Sequence, residues 1–401
     1  CDFVPGEEDP PSAGGNAVQV AVGFHHSLAL KEDGTVFAWG SNIRGQLGNN
    51  TTVTSYSPVQ VVGPGGVNYL TGVATSTKSI DGGAHHSLAL KSDGTVWAWG
   101  YNNYGGSLGD GTTINRYTPV QVGPGYLTNV SEISAGLFHS LALKSDGTVW
   151  AWGYNYWGHL GDGTNTDRYT PVQVKGVGGE GYLTNIIKIA AGYNHSLVLK
   201  DDGTVYGFGS NFFGELGRDD GVNLYYTPIQ VKGVGGSGYL TGIVDIAAGY
   251  AFSIALKSDG TVYAWGLGGK LGDGTSTMRF TPVQVKGVGG SGYLTGITSI
   301  SSKYEHTLAL GGDGSVYAWG RGNHGELGDG TLENRYSPVK VKGVGGVGYL
   351  SNIIGVAAGD WHSRALQNDG TTFGWGRNAS GQLGDGTTID KTTPIITRDL
   401  E

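Results

Sequence analysis

The chain has 401 residues, of which 76 are glycine and only 14% are charged, against roughly 7% Gly and about 25% charge in an average chain. The glycines lack the every-third-residue period of collagen, 10% aromatic content excludes simple disorder, and no apolar run approaches the ~20 residues of a membrane helix. A net charge of −8 and a pI near 5.7 argue against a nucleic-acid partner, which leaves a folded, turn-dense, all-β chain.

The first residue is the lone cysteine, so no disulfide can form within the chain. Its position resembles the mature N-terminus of a bacterial lipoprotein, and lipidation of Cys1 is the expectation. Residues 1–16 then read as an acidic tether, with Asp2, Glu7, Glu8 and Asp9 carrying half of the net charge. This implies an exported protein, at a bacterial cell surface or extracellular, that touches a membrane only through that lipid. Phe3 and Val4 form an apolar plug suited to a second copy of the chain. Such a head-to-tail contact closes into an oligomer or runs on as a filament.

From residue 17 onward the sequence repeats. Asp-Gly followed by Thr or Ser recurs at Asp33, Asp93, Asp146, Asp202, Asp259, Asp313 and Asp369. That gives seven units, approximately 17–64, 65–124, 125–178, 179–235, 236–289, 290–345 and 346–401. In the third unit Glu132–Gly136 reads as a first strand, and His139–Lys144 alternates at period two as a second. Ser145–Gly147 is a tight hairpin turn, and Thr148–Gly153 is a third strand. A long loop, Tyr154 to Thr170, precedes a fourth strand at Pro171–Val174, with Pro at the start of an outer edge. Four antiparallel strands per repeat and no helical period predict a seven-bladed β-propeller. Val18–Val20 either pairs with Pro394–Thr397 to close the ring or each completes its own blade.

The cassette His-Ser-Leu-Ala-Leu-Lys-x-Asp-Gly-Thr-Val, with Gly-x-Leu-Gly-Asp-Gly-Thr and Arg-Tyr-Thr-Pro-Val, resembles the repeat of the regulator of chromosome condensation (RCC1-like) family. The linker Val-Lys-Gly-Val-Gly-Gly-x-Gly-Tyr-Leu-Thr, from Val174, Val231 and Val285, is similar to that of its secreted bacterial branch. The resemblance implies the same seven-bladed fold and leaves the activity open.

Several motifs imitate chemistry. The Gly-rich linkers at Gly176, Gly233, Gly287 and Gly343 are followed by strands and not by the helix a phosphate loop requires, so they read as crossovers between blades. His26, His86, His139, His195, His306 and His362 open the second strands, with Phe252 in the seventh place. Equivalent positions in a ring lie too far apart to share a metal ion, so packing and a hydrogen bond are expected. Asp110, Asp162, Asp273, Asp329 and Asp385 each precede a cation by six residues (Arg116, Arg168, Arg279, Arg335, Lys391), which predicts a charge-assisted loop clasp and no calcium site. Neighbouring Ser and His on one strand point to opposite faces, so no nucleophile–base pair arises. No catalytic residue, metal or cofactor is expected.

Function is sought where the copies differ. The loops after Trp-Gly carry Tyr101 and Tyr104 in blade two, Tyr154, Tyr156 and Trp157 in blade three, and Phe212 and Phe213 in blade four. Arg321, His324, Arg377 and Arg44 occupy the corresponding loops of blades six, seven and one. The aromatic set is the expected protein-binding surface. The reading is a non-catalytic protein-binding propeller, either a surface scaffold or a self-assembling subunit. A soluble binder resembling secreted β-lactamase inhibitory propellers is the alternative, and guanine-nucleotide exchange a weaker one.

Overall fold

Short alternating runs separated by Asp-Gly turns satisfy their backbone only by pairing with one another, and each repeat does so as one antiparallel sheet. In blade three the strands are Val130–Ala135, His139–Lys144, Val149–Gly153 and Arg168–Gln173, paired in that order. The turn between the second and third is fixed by Asp146, whose Oδ1 accepts the Thr148 amide (3.0 Å) and hydroxyl (2.6 Å). Gly147 supplies the positive φ, 78°. The computed structural model describes residues 16–76 and 78–398, and within them seven such four-stranded sheets form the expected seven-bladed β-propeller. Cys1 and the proposed plug at Phe3 and Val4 lie outside the described residues.

The second strand of blade three has the bounds read from sequence. The fourth begins three residues earlier, at Arg168, so Pro171 stands inside it and not at its start. The pairing explains this. Ala151 faces Val172 but Gly153 faces Arg168, so the outer strand carries extra residues as a bulge. A bulged outer edge tolerates a residue without an N–H.

The cores lie between blades and not within them. Leu141, Leu143, Val149, Ala151, Leu160 and Val174 of blade three pack on Ile186, Ile189, Val198 and Phe208 of blade four. Most of these seams carry a polar relay as well. His86 Nε2 lies 3.0 Å from Ser140 Oγ of the next blade, and Ser140 Oγ donates to the carbonyl of Ser107 (3.1 Å). The buried Trp152 donates its Nε1–H to the same carbonyl (2.9 Å). The relay recurs from blade one to two (His26, Ser87, Gln46, Trp99), from six to seven (His306, Ser363, Glu326, Trp375) and across the closure from seven to one (His362, Ser27, Gln382, Trp39). Blade four keeps the His139–Ser196 contact but has Phe208 in place of Trp.

Ring closure uses no exchanged strand. Ala17–Val22 completes blade one and Lys391–Ile396 completes blade seven. The seam between them holds a fully buried Arg364 where blade three has Leu141. Its guanidinium stacks on Trp39 at 4.4 Å and donates to the carbonyls of Gln382 (3.4 Å) and Leu383 (3.3 Å) and to the hydroxyls of Thr372 (3.4 Å) and Thr397. Burial pushes its pKa down to about 9. Space and acceptors come from three matching exchanges: Thr372, Gly374 and Thr397 stand where blade three has Val149, Ala151 and Val174. A Cβ at Gly374 would lie 3.0 Å from the guanidinium.

One seam lacks the relay. Between blades five and six, Phe252 replaces His and Thr307 replaces Ser. The loop from Trp265 to Leu271 is two residues shorter than that from Trp152 to Leu160. Trp319 Nε1 finds no acceptor among the described residues. Amide hydrogen exchange is therefore expected to lose protection first along Phe252–Lys257 and Ile297–Ser302. Uniform protection, or first loss at the closure seam, would contradict this. At the closure, Arg364→Ala should cost about 3 kcal/mol or more, because hydroxyls and carbonyls lose their donor and a cavity opens. The fourfold variant Arg364→Leu, Thr372→Val, Gly374→Ala, Thr397→Val restores the apolar seam of the other blades and should melt no lower than the parent. Calorimetry of the two variants checks both statements.

Candidate functional site

The long loops between third and fourth strands are pinned at their bases. Asn155 Oδ1 accepts the Leu160 amide (3.0 Å), while its Nδ2 donates to Asp162 Oδ1 (3.2 Å) and the Thr164 carbonyl (3.1 Å). Asp162 in turn holds Arg168 at 2.7 Å, and the same clasp joins Asp110 to Arg116, Asp273 to Arg279 and Asp329 to Arg335 at 2.8–2.9 Å. Lys391 reaches Asp385 only at 3.8 Å. In blade four Arg218 stands at the Asp position and turns to Asp220 (3.0 Å), which also accepts the Tyr225 hydroxyl. These carboxylates spend their oxygens on Arg, Thr and Asn. Among the described residues no group of three His, Cys, Asp or Glu side chains is placed to hold a metal ion.

So anchored, the loops present their aromatic tips together. Tyr104 packs on Tyr154 (ring centroids 4.7 Å apart), Tyr154 stacks with Tyr156 (6.4 Å), Tyr156 meets Trp157 edge-on (4.9 Å), and Trp157 meets Phe212 (5.7 Å). Tyr101 joins through Phe138, which touches Tyr104 as well. Phe213 projects beside Phe212 and is 39% exposed; Tyr156 is 57% exposed, and Tyr104 and Phe212 44% each. Six of the seven residues selected from sequence thus form one continuous ladder over blades two to four. Packing between rings is local, yet it leaves their outer faces in solvent.

The shorter loops between first and second strands emerge on the same face and converge on the propeller axis. Phe24 of blade one stacks with Tyr193 of blade four (6.4 Å) and meets Tyr304 of blade six (5.7 Å); Tyr250 touches both tyrosines. Tyr193, Tyr250 and Tyr304 are legible in the sequence as loop aromatics of this face; their convergence with Phe24 into a plug over the channel is not, because only ring closure brings blades one, four and six together.

Beside the plug, blades six, seven and one carry charge. Arg321 binds Glu305 (2.9 Å) and approaches Glu326 (3.6 Å), Arg377 stacks on Trp361 at 4.4 Å, and Arg44 stacks on Tyr101 at 5.0 Å. Asp360 is buried beneath this cluster, with no partner for Oδ1 among the described residues. Burial lifts its pKa to about 8 against the opposing pull of Arg321, so it is largely protonated at neutral pH.

The relay histidines have the wrong polarity for a general base. Each Ser hydroxyl already donates to a carbonyl, so Nε2 of the facing His must donate to that Ser. Consistently, Nδ1 of His26, His139, His195, His306 and His362 meets no donor among the described residues. Burial drives His86, His195 and His306 down to about 3, so all are neutral imidazoles with the proton on Nε2.

The RCC1-like domain family model matches residues 3–288 and 181–400. The ultraviolet-B receptor UVR8 of Arabidopsis thaliana is 30% identical over 380 residues, covering 94% of this chain and 80% of that protein. The E3 ubiquitin-protein ligase HERC2 of Homo sapiens is 32% identical over 356 residues, 87% of this chain but 7% of that protein. Among solved structures, Prp20p of Saccharomyces cerevisiae, described with its binding to Gsp1p and histones, has a TM-score of 0.71 at 23% identity. That match covers 93% of this chain and 88% of Prp20p and shows a shared fold. These relatives are eukaryotic, and the secreted bacterial branch rests on the linker motif alone. The chain belongs to the RCC1-like domain family.

Proposed function

We propose that this chain is a protein-binding propeller without catalysis of its own, and that its partner docks on the face bearing the aromatic ladder. The observation that carries this reading is the ladder itself: exposed, mutually packed rings on three adjacent blades, in the loops where the repeats diverge. Tyr and Trp desolvate large areas at small cost in side-chain entropy, which is why they dominate binding hot spots. The neighbouring Arg44, Arg321 and Arg377 add a cationic rim suited to an acidic partner surface. The polarity of the His–Ser relay supports the absence of catalysis. Gsp1p and histones, named for Prp20p, are proteins, which fits the same class of partner here. An exported scaffold or self-assembling subunit is the form of this reading that the acidic segment 1–16 favours.

Changing Tyr156 and Trp157 together to Ala should weaken partner binding by about 2 kcal/mol or more, with the melting temperature nearly unchanged because both belong to loops. Calorimetric titration and thermal melting on the same preparation check this. Light scattering of parent and variant shows whether a second copy is the partner. Intact binding with a collapsed melting temperature would mean that the rings serve packing alone.

A further inference from the structure

The repeats also diverge inside the channel, far from the ladder. Gly23, Gly83, Gly136, Gly192, Gly249 and Gly359 enter the inner loops of six blades, and blade six has Lys303 there. In the six, the Gly amide donates to the carbonyl three residues on, at 2.8–2.9 Å; in blade six the Ser302 hydroxyl serves the His306 carbonyl instead (3.1 Å). Lys303 crosses the channel and donates to Asp81 Oδ1 (2.9 Å), the Val22 carbonyl (3.1 Å) and the Gly82 carbonyl. Asp81 is itself an exception, standing where the other blades have Ala or Ser. Two departures from the repeat, 222 residues apart, therefore meet as one strut.

The strut and the aromatic plug stop the channel at one end. Below them lies a cavity of about 440 Å³, within the ~300–1,000 Å³ of small-ligand pockets. It opens toward the Asp-Gly hairpins, where Thr75, Ser76 and Lys78 are exposed. One level beneath the strut the inner strands contribute Gln19, Glu132, Lys188, Asp245, Ser299 and Gly355, all at the same register position. Charge stands on one wall and small residues on the other.

A structural role does not require those charges. Glu132 and Asp245 accept the amides of Ile189 and Ile300 of the following blades, but Ser134 and Ser301 do the same for Ala191 and Ala358 at 3.0 Å. A neutral hydroxyl suffices, and a buried carboxylate costs desolvation, which raises the pKa of both acids. Their cationic neighbours are committed or distant. Lys303 has three N–H bonds and three acceptors, and Lys188 approaches Glu132 only to 4.0 Å. Lys78 faces both acids as well but is drawn to Asp81 at 3.5 Å. Lys188 stands on the level of the acids, and the side chains of Lys78 and Lys188 are each 44% exposed, so these ion pairs are loose enough for a charged ligand to exchange with them.

We propose that the channel is a blind pocket for a small zwitterion of amino-acid size, its ammonium group held between Glu132 and Asp245 and its carboxylate at Lys78 and Lys188. The pocket opens on the face opposite the aromatic ladder and stands independently of the protein-binding reading. Calorimetric titration of the full chain with γ-aminobutyrate, putrescine and succinate tests it. γ-Aminobutyrate should bind saturably, one per chain, with a Kd of about 1 mM or tighter, and more tightly than either single-charge-type probe. The double variant Glu132→Gln, Asp245→Asn keeps the backbone acceptors and should weaken binding about tenfold or more. Lys188→Gln, at an exposed site, should weaken it without altering the melting temperature. No saturable binding of γ-aminobutyrate, tighter binding of putrescine or succinate, or full affinity in the double variant would overturn the proposal.

Discussion

The relay of imidazole, hydroxyl, carbonyl and indole between successive blades is the constraint on which the rest of the molecule depends. Four-stranded sheets of this length cannot bury their faces alone, so stability resides in the seams. Apolar contact between blades is non-directional. The relay supplies direction: in most seams one carbonyl receives both the Ser hydroxyl and the Trp indole, fixing the height and rotation of one blade against its neighbour. Because the same carbonyl belongs to the base of the long loop (Gln46, Ser107, Glu215, Glu326, Gln382), the relay also anchors the loops that carry the aromatic ladder. Core and candidate site thus share an atom in most blades.

With the scaffold repeated, the exceptions become informative. Phe252, Thr307 and the short loop after Trp265 coincide at one seam. Arg364 is accommodated by Thr372, Gly374 and Thr397 at another. Lys303 and Asp81 meet across the channel. Each is a set of mutually dependent substitutions, since any member alone would leave an unpaired donor, an overfilled space or a buried charge. The ladder differs in kind: its members are exposed and depend little on one another for the fold.

Much of this was legible in the sequence because Asp-Gly turns and period-two alternation are local signals. His139–Lys144 could be bounded to the residue. Arg168–Gln173 could not, since a bulge opposite Trp152 breaks the alternation on which the reading relied. The aromatic ladder was legible as a difference between copies, and the Asp–Arg clasp as a constant spacing. The relay was not. His and Ser sit side by side in every repeat, but the Ser that each His meets belongs to the next blade, as His86 to Ser140, 54 residues away. No spacing rule announces which neighbour a side chain faces once a ring closes. Lys303 and Asp81 were visible as departures from the repeat, but their meeting depends on the channel diameter.

The account stands most directly on the state of the six relay histidines, and nitrogen-detected NMR of labelled imidazoles reads it. Of ten histidines in the chain, His26, His86, His139, His195, His306 and His362 should show neutral rings protonated at Nε2. They should not titrate between pH 5 and 8, well above the values to which burial has lowered them. Titration of these rings near pH 6.5, or protons on Nδ1 with Nε2 left as the acceptor, would contradict the relay and reopen a base role for histidine.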